Sequence, residues 1–62
     1  MILTVKTPFH VTTTREGKVF AKTGDKLTVK EKGLEYFYIL KLNGKNIFSV
    51  WQRKNWILSH TY

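Results

Sequence analysis

The sequence predicts an all-β fold, a small barrel of five to six antiparallel strands with one short helical turn near residues 51–55. Three observations predict it. Polar and apolar residues alternate with period two in several short segments. Turn signals built on Gly, Asn and Asp separate those segments at roughly 8–12-residue spacing. No long stretch shows helical periodicity bounded by caps.

Residues 2–6 and 9–14 are rich in β-branched side chains, with Pro8 between them. Proline cannot donate to a central ladder and so falls between strands. Arg15-Glu16-Gly17-Lys18 is a turn, residues 18–22 the next strand, and Thr23-Gly24-Asp25 a second break. Residues 26–30 alternate cleanly, with Leu27 and Val29 on one face and Lys26, Thr28 and Lys30 on the other. Lys32-Gly33 turns into the longest and most apolar strand, residues 35–42. There Tyr36, Tyr38, Leu40 and Leu42 make the more continuous apolar face and are expected inward. That leaves Phe37 and Ile39 near the surface beside Lys41, the alternative being a strand buried on both faces at its curved middle. Asn43-Gly44 is the strongest hairpin signal, because a type I′ turn needs positive φ at both central residues; residues 45–50 return as the partner strand. Residues 51–55 lack alternation and read as a helical turn before a last strand, residues 56–60.

The order of these features resembles the SH3-like barrel superfamily over residues 9–60. Residues 9–14 stand for its first strand and 15–25 for its long first loop. Gly24-Asp25-Lys26-Leu27-Thr28-Val29 is similar to the Gly-Asp-x-Leu-x-Val that opens its second strand. Residues 37–42, Asn43-Gly44 and 45–50 match the third strand, distal hairpin and fourth strand, and residues 52–55 the short turn before the final strand. The resemblance implies a barrel. It does not imply proline-rich peptide recognition: residues 9–14 read Phe-His-Val-Thr-Thr-Thr in place of the aromatic Ala-Leu-Tyr-x-Tyr, and the sole proline is Pro8. In size and charge the chain is similar to the basic nucleic-acid-binding domains that share the barrel.

Sixty-two residues predict a single domain, 1–62, with a thin core, since such a chain buries only about 60% of the surface its unfolded form exposes. With no cysteine, disulfides and thiolate metal sites are excluded, and apolar packing must suffice. Among the nine aromatics, Phe9, Phe20, Phe48 and at least one tryptophan are expected in the core. Residues 1–5 are too short for a signal-peptide core, and the longest apolar run, residues 36–40, falls far below the roughly 20 residues of a membrane span. The expected location is cytoplasmic, with no membrane partner. Nine lysines against two arginines fit an AT-rich coding genome, such as that of a phage or a low-GC bacterium.

Catalysis finds little to work with. Ser59 and His60 are adjacent on an expected strand, where neighbouring side chains point to opposite faces and cannot meet. Glu16, Asp25, Glu31 and Glu35 lie in turn-rich segments among lysines and read as solvated charges, and no ligand spacing joins them to His10 or His60. A non-enzyme without metal or cofactor is expected.

The charge is the loudest feature: eleven Lys and Arg oppose four Asp and Glu, a formal +7. Such a surplus raises association rates with anionic partners. All four acids lie between positions 16 and 35, whereas residues 36–62 hold seven of the nine aromatics and no acid. Lysine and arginine neutralise phosphates, and exposed rings stack on unpaired bases. The expected function is therefore nucleic-acid binding, to DNA or RNA and with little sequence specificity. Phosphate contacts would come from Lys41, Lys45, Arg53 and Lys54, extended by Lys26 and Lys30, and ring contacts from Trp51 and Phe37. Residues 51–56, with two cations between two tryptophans, are the centre of that expectation. The alternative is an adaptor or inhibitor, of phage or mobile-element type, that docks on a larger acidic host protein through Phe37, Ile39 and the tryptophans. A monomer or weak dimer is expected in either case.

Overall fold

A computed structural model describes all residues, 1–62. Seven strands and one helix follow in order: β1 Ile2–Thr4, β2 Phe9–Thr13, β3 Gly17–Ala21, β4 Lys26–Lys32, β5 Tyr36–Leu42, β6 Lys45–Asn46, β7 Gln52–Arg53 and α1 Lys54–Ser59. All pairing is antiparallel. Strands β1-β4-β5-β6 form one sheet, in which β7 also pairs with β5, and β2-β3 form a separate hairpin.

The turns are closed by local chemistry. Gly17, at φ +70°, closes β2-β3, where the Thr13 hydroxyl donates to the Gly17 carbonyl at 2.8 Å and accepts from the Glu16 N–H at 3.0 Å. Asn43 and Gly44 both take positive φ, 52° and 82°, as a type I′ turn requires. Asn43 does more than turn: its Oδ1 accepts the Lys26 N–H at 2.8 Å, and its own N–H donates to the Lys26 carbonyl at 2.8 Å. The hairpin tip is thereby tied to the start of β4.

The core lies between the sheet and the hairpin. It is built from Leu27, Val29, Phe37 and Ile39 of the sheet, Phe9, Val11 and Ala21 of the hairpin, Val5 and Ile47 from the connections, and Ile57 of the helix. The expected inward face of the longest strand is thus reversed: Phe37 is 3% exposed and Ile39 fully buried, while Tyr36 and Tyr38 lie half-buried on the other side. Pairing with β4 decides this, because Val29 faces inward and lies opposite Ile39. Tyrosine hydroxyls also reach water more cheaply from the outer face. A bulge leaves Leu40 unpaired between Ile39 (opposite Val29) and Lys41 (opposite Thr28), which returns Leu42 to the inner side.

Four further expectations change. Phe20 is 52% and Phe48 46% exposed, and both tryptophans are exposed. Phe20 pairs with His10 on the hairpin's outer face, where Ala21, opposite Phe9, takes the inward position. The fourth strand stops after two residues because Phe48 adopts φ +50°. The chain turns there from β5, where Ile47 and Ser49 donate to the Leu40 and Ile39 carbonyls, to β2, where Val50 donates to Thr12. Residues 47–50 thus stitch one margin of the two sheets, but β3 pairs only with β2 and β1 takes the chain end, through Val5 opposite Thr61. The sheets do not close into a barrel. Finally, residues 56–60 form no strand: the helix runs from Lys54 to Ser59, burying Ile57. Its start is held by the Lys54 N–H on the Glu35 carbonyl at 2.8 Å and its end by the Thr61 hydroxyl on Ile57.

Two outcomes test this packing. In urea denaturation, Phe37→Ala should cost about 3–5 kcal/mol and Tyr38→Ala about 1 kcal/mol; the opposite ranking would restore the reversed face. The second concerns Asp25, which is buried at the base of β4. The Lys22 N–H donates to its Oδ2 at 3.0 Å and Asn43 adds a side-chain hydrogen bond, so its carboxyl sits below the ordinary aspartate value although burial opposes the shift. A lowered native pKa means stability that is present above the unfolded value, about 3.9, and lost as pH falls through the native one. Asp25→Asn should therefore flatten the acid-side fall in unfolding free energy measured below about pH 5.

Candidate nucleic-acid interface

The register of β4 on β5 assembles the outer face of the sheet. Lys30 lies opposite Tyr38, Lys32 opposite Tyr36 and Thr28 opposite Lys41, while Tyr36 lies opposite Arg53 of β7. Ile2 and Thr4 of β1 flank Thr28 and Lys26. Side chains directly opposite one another share a face, so the outward residues include Lys26, Lys30, Lys32, Lys41 and Arg53 together with Tyr36 and Tyr38. None of the outward positions is acidic. The Lys26 ammonium is steadied by donation to the Thr4 hydroxyl at 2.7 Å.

Trp51 precedes β7 and extends this face, 49% exposed. Its ring meets that of Tyr36 edge-on, with centroids 4.6 Å apart, and the Lys32 ammonium stands 5.7 Å from its centroid. A cation over an indole is attracted by the ring quadrupole. Beside this cluster an open hollow of about 390 Å³ is lined by Lys32, Gly33, Leu34, Glu35 and Tyr36.

Five of the eight residues expected at the site therefore meet: Lys26, Lys30, Lys41, Arg53 and Trp51. Three do not. Phe37 is core, with Ile39, so the surface patch these two were expected to form does not exist. Lys54 turns to the inner side, its ammonium 5.3 Å from the Phe37 ring and 3.5 Å from the Glu31 carboxylate. Lys45 leaves at the hairpin tip, 3.4 Å from Glu16. Sequence reasoning missed Lys32, Tyr36 and Tyr38; the clean alternation of residues 26–30, carried on by two residues, points to Lys32. The two tryptophans also separate, Trp56 packing edge-on against Phe9 at 5.0 Å and close to His60 at 4.4 Å.

The disposition of the acids sharpens the field. Glu16 and Glu31 are spent on Lys45 and Lys54, and Asp25 is held in backbone and side-chain hydrogen bonds. Glu35, the fourth acid, stands exposed at the margin of the face, in hollows it shares with Lys32 and Arg53, and forms no ion pair, so the five outward cations have no carboxylate within salt-bridge distance.

Ser59 and His60 do meet, contrary to the strand-based expectation, because they stand at a helix end: Oγ lies 2.9 Å from Nδ1. The contact is a cap. The Ser59 hydroxyl donates to the Trp56 carbonyl at 2.6 Å, and His60 Nδ1 lies 2.8 Å from the same oxygen. Both groups converge on the Trp56 carbonyl, which closes the last turn of the helix. No three His, Asp or Glu side chains converge anywhere, and no helix is long and apolar enough to cross a membrane. No protein-family profile, curated protein or solved structure matches this chain.

Proposed function

We propose that this chain is a sequence-tolerant nucleic-acid-binding protein whose interface is the outer face of the β1-β4-β5-β7 sheet. One observation carries the reading: antiparallel register gathers five unpaired cations and the rings of Tyr36, Tyr38 and Trp51 on one face whose strand positions hold no acid, with Glu35 at its margin beside Lys32 and Tyr36. Phosphates are the partner for Lys26, Lys30, Lys32, Lys41 and Arg53, since neutralising them releases condensed counterions. Specificity for a base sequence needs donors and acceptors placed against base edges. The outward positions supply mainly ammonium groups and rings, which read charge and stacking instead.

Fluorescence anisotropy of a labelled oligonucleotide, titrated at several salt concentrations, tests the reading. Five phosphate contacts give a log-affinity against log-salt slope of about −3.5 on a single strand. Lys30→Ala and Lys41→Ala should each reduce its magnitude by about 0.7, whereas Lys18→Ala, on β3 and away from the face, should leave it unchanged. Absence of binding at low salt removes the proposal.

A further inference from the structure

The cations and rings of the outer face are sorted, as well as gathered. Lys26, Lys30 and Lys32 stand along β4, and Tyr38 and Tyr36 stand along β5 directly opposite Lys30 and Lys32. Trp51, just before β7 on the far side of β5, stands beside this ring file and meets Tyr36 edge-on. Neighbouring strands lie about 4.8 Å apart, and every second residue of a strand advances about 6.8 Å. A file of positive charge therefore runs beside a file of rings over the same length of sheet. At the other end the bulge turns both Leu40 and Lys41 outward, so the ring file stops after Tyr38 and a cation replaces it.

We infer that this face takes a single strand laid along β4 and β5, with its phosphates along Lys26, Lys30 and Lys32, flanking phosphate contacts from Lys41 and Arg53, and about three bases on Tyr38, Tyr36 and Trp51. The inference rests on the nucleic-acid reading above and narrows it to the unpaired form. Duplex bases are already paired and stacked, so rings lying within a sheet face gain nothing from them, and the duplex is left with the phosphate contacts alone. Nor does any element project from this face into a groove. The only helix has six residues and turns Ile57 into the core, on the inner side of the sheet.

The test compares a fluorescein-labelled oligothymidine with a duplex of equal length, each titrated with the full chain at the same low salt, and folding of each variant is checked by far-UV circular dichroism. The single strand should bind at least about tenfold more tightly, since one stacked base alone contributes about 5- to 150-fold. Trp51→Ala and Tyr38→Ala should each weaken single-strand binding by that factor while leaving duplex affinity and the salt slope unchanged. Tyr38→Phe keeps the ring and should restore the single-strand affinity, which separates stacking from any loss of fold. Duplex binding as tight as single-strand binding, or ring-removal variants that weaken both equally, would overturn the inference while the nucleic-acid reading stands. Failure of both probes to bind would remove that reading itself.

Discussion

The pairing of β4 with β5, interrupted by a single bulge at Leu40, governs what this protein presents to solvent. Side chains alternate with period two along a strand, so a slip of one residue would exchange the entire inner and outer sets. In the observed register Val29 faces Ile39 across the core side, and Lys30 and Lys32 face Tyr38 and Tyr36 across the solvent side. The bulge then corrects the phase of the strand end, so that Leu42 rejoins the core side while Lys41 stays outside. A strand with apolar residues on both faces is thereby given one buried side and one aromatic, cationic side. The tyrosine hydroxyls favour the outer side, and the β4 partner makes the choice decisive.

Charge separation follows from the same geometry. Four acids among eleven cations cannot neutralise the chain, but their placement decides where the surplus lies. Glu31 falls on the core side of β4, opposite Phe37, and pairs with Lys54 beneath the sheet; Glu16 holds Lys45 at the tip of the neighbouring hairpin. Exposed pairs of this kind contribute little to stability, about 0–1 kcal/mol. Their larger effect is on the field, because with Glu16 and Glu31 drawn away only Glu35, at the margin, offsets the cations of the outer face. Asp25 serves the fold instead, bonded to the Lys22 N–H where β4 begins.

Asn43 shows how a local signal and a long-range contact coincide. Its turn role was legible as Asn-Gly, while its bonds to both backbone groups of Lys26 depend on the hairpin arriving beside β4. The helix shows the opposite case. Residues 54–59 carry no side-chain N-cap bond and no acid in the first turn, so no helix signal precedes them. What holds them helical is tertiary: the Glu35 carbonyl that receives the Lys54 N–H, and the buried seat of Ile57. Trp-Ile-Leu at residues 56–58 reads as strand by propensity, and packing overrides it.

The sequence by itself determined the antiparallel β class, the turns at Gly17, Gly24, Gly33 and Asn43-Gly44, the inward pair Leu27 and Val29, and the cationic, outward Lys26 and Lys30. Each rests on local physics, either the period-two alternation of a half-buried strand or the positive φ that a tight turn demands. Only the tertiary structure decided which face of β5 is buried, that Lys54 and Lys45 leave the surface that Arg53 and Lys41 join, and that Tyr36 and Tyr38 belong to it. These depend on strand register, a relation between residues far apart in the chain, and no single segment carries it.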